Sequence, residues 1–323
     1  MFKKINNGII QDWRTPEEKE KDYKLEEIVA SVDPVDWIEK TPEQWRRFEI
    51  RSQDGSGSCV AQSAAKILGI CHYLNKGYFP SISASYIYNK RANKPSGGMG
   101  GVDVWEILRK YGSILEENMP SQDMNDKQMD AVPEKPVYKD IGQTFAITNY
   151  VQLTPDIDEI ASTIQKTNKP VMVWFSFEYD EWTDVPQIKH QWGKYNHSVT
   201  AVDYTIYQGK KALIIEDSWG KFGQFDGQRV ITEDFMPRCF FAAYPINFKY
   251  EKEVDNKPKF DGSVKSLQDC LKYTGDFPKN VDSTGYFGSI TKGALKKWQA
   301  RVGLPSYGIF GSMTKAKMYE LFP

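Results

Sequence analysis

A cysteine stands where a glycine-rich turn meets an apolar helix. The sequence is SQDGSGSC at residues 52–59, and the residues after Cys59 are small and apolar at helical spacing. A thiol attacks only as the thiolate, and the positive end of a helix dipole stabilises that anion. The glycines allow the backbone to approach a substrate without a Cβ in the way. This arrangement predicts a nucleophilic cysteine at position 59.

The chain contains three histidines that could serve as the base for this thiol. His72 lies inside the predicted helix on a different face from Cys59, and His190 lies in a polar loop, where a solvated residue is expected. His197 is at the edge of an alternating strand, NHSVTAV, which could hold an imidazole still. Asp217, at the end of the next strand, is suited to orient the ring. We expect these groups to act together, with His190 as the alternative base.

The elements that would position these residues change type along the chain. Helices are predicted from residue 59 and over residues 100–112, and the polar, proline-containing segment 118–138 is predicted to be a long surface loop. Strands are predicted at residues 170–177, 197–207, 211–219 and 239–248. Helices followed by strands predict an α+β domain.

Composition divides the chain into four parts. Residues 1–33 are charged and form an N-terminal extension, whereas residues 34–248 carry regular apolar positions. Residues 249–262 are charged, contain proline and have no period, as in a linker. Residues 263–323 contain an internal echo, GYFGSITKGAL and GIFGSMTKAKM, in which a turn opens a helix. This last part is predicted to be a small all-α domain of three helices.

The bulk composition argues against several classes of protein. The net charge is −1, and nine Lys/Arg against five Asp/Glu from residue 261 onward are too few to indicate nucleic acid. Four scattered cysteines predict neither a disulfide framework nor a zinc site, and no cofactor or metal is expected. No long apolar run indicates a signal peptide or a membrane span. We therefore expect synthesis in a reducing cytoplasm.

The motifs in residues 34–248 resemble those of the papain-like cysteine proteases. QDGSGSC places Gln53 six positions before the cysteine, as in that family, and NHSVTAVDY resembles the family's histidine strand. DSWG resembles the family's Asn-Ser-Trp-Gly motif, and DVWEILRKYG resembles the segment behind its substrate-binding glycines. Four motifs in the family's order are a strong signal. The resemblance implies a two-lobed domain, one lobe helical and the other an antiparallel sheet or barrel.

The resemblance also implies a role for each matching residue. Cys59 would be the nucleophile and His197 the general base and acid of a cysteine endopeptidase. The amide of Gln53 and the Cys59 N–H would stabilise the oxyanion. Trp219 would cover the hydrogen bond between His197 and the third residue, Asp217. The residues implied to contact substrate are Gly57, Ser58, Gly100, Gly101 and Trp219.

This sequence departs from the family pattern at three places. Asp217 stands where the family has Asn, which would favour the imidazolium form of the histidine. Ser56 stands where many relatives have a disulfide cysteine, which fits folding under reducing conditions. Residues 1–33 are too short for the long inhibitory propeptide of the lysosomal relatives, so we do not expect a zymogen.

The last part of the chain resembles the peptidoglycan-binding-like three-helix module. Residues 263–322 contain that module's leucine-glutamine, G-x-F-G-x-x-T and W/F-Q elements. The combination implies an endopeptidase that cuts peptides of the bacterial cell wall. It would be an endolysin released by lysis or a virion-associated lysin. The alternatives are a protease of proteins with the wall as anchor, and an inactive wall-binding protein.

Overall fold

Six apolar strands between residues 147 and 248 form an antiparallel sheet. The structure, a computed structural model, describes residues 9–10, 34–248, 258–278 and 281–323. The strands are β1 (Ile9–Ile10), β2 (Met99–Gly100), β3 (Ile147–Leu153), β4 (Val171–Phe177), β5 (Tyr195–Tyr207), β6 (Lys210–Glu216), β7 (Gln228–Thr232) and β8 (Cys239–Phe248). The sheet has the order β3-β8-β4-β5-β6-β7, and β1 pairs separately with β2.

Helices precede the sheet in the chain, follow it, and in one case lie between its strands β3 and β4. They are α1 (Cys59–Lys76), α2 (Ala84–Tyr88), α3 (Gly101–Lys110), α4 (Asp126–Ala131), α5 (Tyr138–Gly142), α6 (Ile157–Thr167), α7 (Val264–Tyr273), α8 (Ser289–Arg301) and α9 (Ser312–Leu321). Mixed helices and an antiparallel sheet confirm the predicted α+β class. None of the helices in the described ranges has the length and apolarity that crossing a membrane requires.

The chain divides into two units, residues 1–71 with 81–250, and residues 72–80 with 251–323. Among the described residues, the first unit contains two large apolar clusters, one around α1 and α3 and one around the sheet and α6, and a smaller one that includes Tyr86 and Tyr138. The predicted N-terminal extension, apart from Ile9–Ile10, lies outside the described residues. So does the predicted linker at positions 249–257.

The β5–β6 hairpin places the strand that contains His197 beside the strand that directly precedes Asp217. Gln208 and Gly209 connect them, with φ angles of 50° and 79°. Two consecutive positive φ angles are typical of the tight turn whose twist suits a two-residue hairpin. The hairpin pairs Thr200 with Glu216, so the start of β5 lies beside the residues that follow β6.

The predicted surface loop at residues 118–138 is wrong in part, because α4 lies within it. Asn125 caps this helix, since its side chain accepts a hydrogen bond from the N–H of Gln128, whose side chain accepts one from the N–H of Asn125. Met129 is buried beneath the helix. A capping box and one apolar anchor are enough to order a short helix in a polar sequence. Strands β3 and β7 and helix α6 were also absent from the sequence prediction.

The echo in the second unit corresponds to two equivalent hydrogen-bond clusters. Gln268 donates to Tyr286 O and Thr291 Oγ1 at 3.0 and 2.8 Å and accepts from the N–H of Gly285 at 2.9 Å. Gln299 makes the same three bonds one repeat later. It donates to Ile309 O and Thr314 Oγ1 at 3.0 and 2.8 Å and accepts from the N–H of Gly308 at 2.8 Å. Each buried glutamine holds the turn that opens the next helix.

We expect Gln299→Ala to loosen the last turn and α9. The substitution leaves buried partners without a hydrogen bond, at about 1–3 kcal/mol for each unsatisfied group. Hydrogen exchange of the full chain should therefore speed up by at least about tenfold in peptides that cover residues 305–321. Lys297→Ala, at an exposed position of the same helix, is the control. Unchanged protection in Gln299→Ala would mean that this side chain does not hold the turn.

Candidate active site

The turn before α1 places Cys59 at the first residue of that helix. Asp54 and Gly55 adopt φ angles of 44° and 77°, which reverse the chain. The Ser58 carbonyl then accepts from the N–H of Gln62 at 2.9 Å as the helix starts. The first N–H groups of a helix have no partner within it, so the Cys59 N–H and the positive end of the dipole lie at the thiol.

His197 and Asp217 come together because β5 and β6 are antiparallel neighbours. His197 Nε2 lies 2.7 Å from Asp217 Oδ1, and both side chains are buried. The Cys59 side chain interacts with the same imidazole and raises its pKa, and because Nε2 faces Asp217, Nδ1 is the ring nitrogen left for the thiol. His190, the alternative base, pairs instead with Asp180 on an exposed loop, at 2.8 Å.

The surroundings of His197 favour its charged form. Burial alone would lower the pKa of the imidazole. The charge and hydrogen bond of Asp217, with the hydrogen bond to Cys59, outweigh burial and raise the pKa of His197 to about 9. Burial would in turn raise the pKa of Asp217, but the charges of His197 and Arg229 hold it well below its usual range. The pair is therefore an imidazolium and a carboxylate at neutral pH.

Both oxygens of Asp217 are fully used. Oδ1 accepts from His197 and from the N–H of Ser218, at 2.7 and 2.6 Å. Oδ2 accepts from Trp182 Nε1 at 3.0 Å and from Arg229 Nε at 2.7 Å. Sequence reasoning missed both Trp182 and Arg229. The available signal for Arg229 was a charged residue within the apolar segment of β7.

Aromatic rings enclose the imidazole. The Trp219 ring lies against the His197 ring, with the two centroids 4.8 Å apart. This position suits the role that the resemblance implies for Trp219, which is to cover the hydrogen bond between His197 and Asp217. Trp182 meets the imidazole edge-on at 5.8 Å, and Phe177 stacks on Trp182 at 4.3 Å. The rings keep water from the ion pair, which strengthens the attraction between its charges.

Gln53 connects the turn before α1, residues 52–58 (the nucleophile turn), to Ser218, the residue after Asp217. Its Oε1 accepts from Ser218 Oγ at 2.6 Å, and its Nε2 donates to Ser56 O at 2.6 Å. An amide nitrogen carries two protons, so one remains for an oxyanion near the Cys59 N–H. The side chain is 4% exposed, and its orientation follows from the hydrogen bonds on both ends.

A set of hydrogen bonds joins the nucleophile turn to the glycine-rich segment at residues 97–101. Asp126 Oδ1 accepts from the N–H of Gly57 at 2.9 Å and from Tyr88 OH at 2.6 Å. The same hydroxyl accepts from the N–H of Gly98 at 3.0 Å. A Cβ on Gly57 would lie 2.4 Å from the Gly98 nitrogen, so only glycine fits there. Neither Asp126 nor Tyr88 was predicted from the sequence.

The predicted substrate glycines fall on two different elements. Gly100 lies in β2, whereas Gly101 is the first residue of α3. Ser58 ends the nucleophile turn, and its hydroxyl lies 2.6 Å from Ser56 Oγ. Because Gly57 closely approaches Gly98, the residue before β2, the strand edge next to the nucleophile turn is β2, Met99–Gly100.

Residues Ile9–Ile10 lie along this edge. They pair in parallel with Met99 and Gly100 and also contact β5, the strand that carries His197. Ile9 is 5% exposed and packs in the cluster around α1, and Cys59 is fully buried. Ile9–Ile10, the described part of the predicted N-terminal extension, thus lies in the apolar cluster that also contains Cys59.

The other cysteines have a different environment. Burial raises the pKa of the Cys71 and Cys239 thiols to about 12, and Cys270 is buried in the second unit. The Cys71 and Cys239 thiols therefore stay protonated and unreactive at neutral pH. The burial of all three cysteines fits the small apolar core residues expected from the sequence.

We expect the His197 imidazole to titrate with a midpoint near pH 9. A folded-state pKa above the unfolded value of about 6.5 stabilises the fold fully below about pH 6.5. This contribution is lost as the pH rises through about 9. Heteronuclear NMR of the three histidines, with His72→Asn and His190→Asn for assignment, would measure it. A His197 midpoint near 6.5 would contradict the buried ion pair.

Comparisons with known proteins agree with this geometry. Residues 32–245 match the family model of the papain family cysteine proteases, and residues 261–318 match the peptidoglycan binding domain model. The chain is 27% identical over 254 residues to the KDEL-tailed cysteine endopeptidase CEP2 of Arabidopsis thaliana, covering 75% of this chain and 66% of the relative. It is 25% identical over 223 residues to mouse cathepsin S, covering 66% and 62%. The chain thus spans less than two thirds of these curated relatives.

Solved structures show the same fold. Xylellain, a cysteine protease from Xylella fastidiosa, matches with a TM-score of 0.60 and 20% identity, over 76% of this chain and 99% of its own. Digestive procathepsin L 3 of Tenebrio molitor matches with a TM-score of 0.51 and 19% identity, over 71% and 84%. The family model covers most of the chain, and a second model covers its C-terminal part. The chain therefore belongs to the papain family of cysteine proteases and carries a C-terminal peptidoglycan-binding domain.

Proposed function

We propose that this chain is a cysteine endopeptidase in which Cys59 is the nucleophile and His197 its general base and acid. The observation that carries the proposal is the single imidazole that hydrogen-bonds Asp217 through Nε2 and the Cys59 thiol through its other nitrogen. This geometry gives the thiol a proton acceptor whose orientation is fixed, at the positive end of α1.

The reaction follows from these contacts. The thiol proton resides on His197 Nδ1, which makes the ring an imidazolium, and the Cys59 sulfur attacks the carbonyl carbon of the scissile amide as a thiolate. The oxyanion that forms accepts hydrogen bonds from the Cys59 N–H and the second proton of Gln53 Nε2. His197 then gives its proton to the amide nitrogen, the C–N bond breaks, and a thioester on Cys59 remains. Water loses a proton to the now neutral His197 and attacks the thioester, which releases the acid and restores the thiolate beside the imidazolium.

Substrate backbone would bind at the edge of β2. Met99 and Gly100 can pair with an extended peptide, as they pair with β1. The close approach of Gly57 to Gly98, held by Asp126, brings this edge beside the thiol. Gly57, Ser58 and Trp219 would then border the reacting carbonyl, and Gly101 would act through the start of α3.

We propose peptides of the bacterial cell wall as the substrate. The support is the C-terminal peptidoglycan-binding domain, which would concentrate the enzyme on this polymer. An endolysin or virion-associated role, with release by lysis, stays a prediction. One observation favours a second candidate, a protease of proteins with the wall as anchor: a curated relative is named an endopeptidase and others are cathepsins. The third hypothesis, an inactive wall-binding protein, predicts no hydrolysis.

Purified sacculi and casein distinguish these candidates. The wild type should release new amino termini from sacculi, and Cys59→Ala should lower this rate by roughly four orders of magnitude or more. Cys71→Ala, which removes a buried thiol from the same helix, should keep the activity. Casein fragments alone would support the second candidate, and wall binding without any products would support the inactive protein. Full activity of Cys59→Ala would refute the nucleophile.

The pairing of β1 with β2 predicts that the N-terminal segment competes with substrate. Ile9→Asp places a charge in an apolar cluster and should displace β1. We expect kcat/KM for a short peptide to rise by about tenfold or more, because a larger fraction of molecules has a free edge. Ile38→Asp, at a position that is 56% exposed in the same unit, is the matched control. Equal kcat/KM in wild type and Ile9→Asp would contradict this competition.

A further inference from the structure

The donors around Asp217 require a carboxylate at this position. Trp182 and Arg229 both donate to Oδ2, and His197 and the N–H of Ser218 both face Oδ1. An asparagine would point its NH₂ group at donors in either orientation. The Asn-Ser-Trp-Gly motif that DSWG resembles has Asn where this chain has Asp217, and the carboxylate brings a negative charge that needs a partner when it is buried.

Arg229 is built into the site from β7. It is 3% exposed, and its Nε lies 2.7 Å from Asp217 Oδ2. Its guanidinium carbon lies over the rings of Trp182, Trp219 and Phe222, at 5.3, 5.6 and 5.1 Å. Aromatic faces attract a cation but cannot neutralise it. The paired carboxylate is therefore what makes a buried charge tolerable here.

Charge is balanced across the site when Arg229 is counted. A thiolate at Cys59 and an imidazolium at His197 cancel, and so do Asp217 and Arg229. Two further buried ion pairs beside the site are each neutral: Lys66 on α1 with Glu216 on β6 at 2.9 Å, and Arg238 with Glu181 of the β4–β5 loop at 2.7 Å. Without Arg229 the water-excluded site would carry one negative charge in excess.

We propose that Arg229 is a positioning residue that lets aspartate replace asparagine in this active site. Asp217 and Arg229 act as one neutral unit: the carboxylate orients the imidazole, and the guanidinium holds the carboxylate and balances its charge. The inference rests on the proposed function, in which His197 serves Cys59. It predicts that replacing either residue alone lowers kcat/KM, and that replacing both restores part of the loss.

A double-mutant cycle tests this dependence. Asp217→Asn leaves Arg229 buried without its anion, and Arg229→Met leaves Asp217 without its cation. Each should lower kcat/KM by on the order of a hundredfold or more, which corresponds to breaking a buried pair. The double variant should be about tenfold or more faster than Asp217→Asn, since the amide then has only the neutral Trp182 N–H to oppose it. Arg229→Lys, which keeps the charge, should lie between wild type and Arg229→Met.

Two measurements separate positioning from a general loss of stability. In the double variant the alkaline limb of kcat/KM should move to lower pH than in wild type, because His197 has lost the charge of Asp217. Lys40→Met, which removes a partly buried ion pair with Asp203 in the same unit, should lower the Tm without moving this limb. Asp217→Asn should not rescue Lys40→Met.

The cycle is read in two ways, so that it does not depend on catalysis. Thermal unfolding of the wild type, the two single variants and the double variant measures how far the effects on Tm depend on each other. NMR measures the titration midpoint of His197 in each of these four proteins. Hydrolysis absent from wild type, with Tm and His197 still coupled, would overturn the proposed function and leave the role of Arg229 standing. Additive effects on Tm, kcat/KM and the His197 midpoint would overturn the role of Arg229.

Discussion

The buried hydrogen bond between His197 Nε2 and Asp217 Oδ1, 2.7 Å long, is the constraint on which the rest of the site depends. It fixes the ring so that Nδ1 faces Cys59. Because it takes two charged groups out of water, it also requires partners for every remaining lone pair of the carboxylate. Trp182, Ser218 and Arg229 meet that requirement. The polar surroundings of the site are thus a consequence of burying one ion pair.

The fold brings the two halves of the site together through the backbone as well as through side chains. The N–H of Gln53, in the nucleophile turn, donates to Ser218 O at 2.8 Å, and Ser52 pairs with Trp219. The residues on either side of Asp217 are therefore fixed to the turn that carries Cys59 and to β6. A shift of either element would move the thiol relative to the imidazole, which is why the site needs both the helical lobe and the sheet.

Local sequence signals indicated the residues that we propose carry the chemistry, and non-local contacts account for those that the sequence did not indicate. The turn–helix junction and the alternating strand indicated Cys59 and His197, because these patterns are set by neighbouring residues. Asp126 and Arg229 lie in segments whose function depends on contacts with distant parts of the chain, and the charge of Arg229 within β7 does not by itself identify its partner. Non-local packing also explains why the sequence predicts a loop over the residues of α4. The capping box of this helix is a weak signal without the burial of Met129, which depends on distant parts of the chain.

The central claim is that Cys59 forms the covalent intermediate with the help of His197. Acid quenching during turnover of an activated peptide ester, followed by intact-mass and peptide mapping, tests it most directly. The account predicts one acyl group per chain, attached to Cys59, and far slower acylation in His197→Ala. An acyl group on another residue, or equal acylation in wild type and His197→Ala, would contradict it.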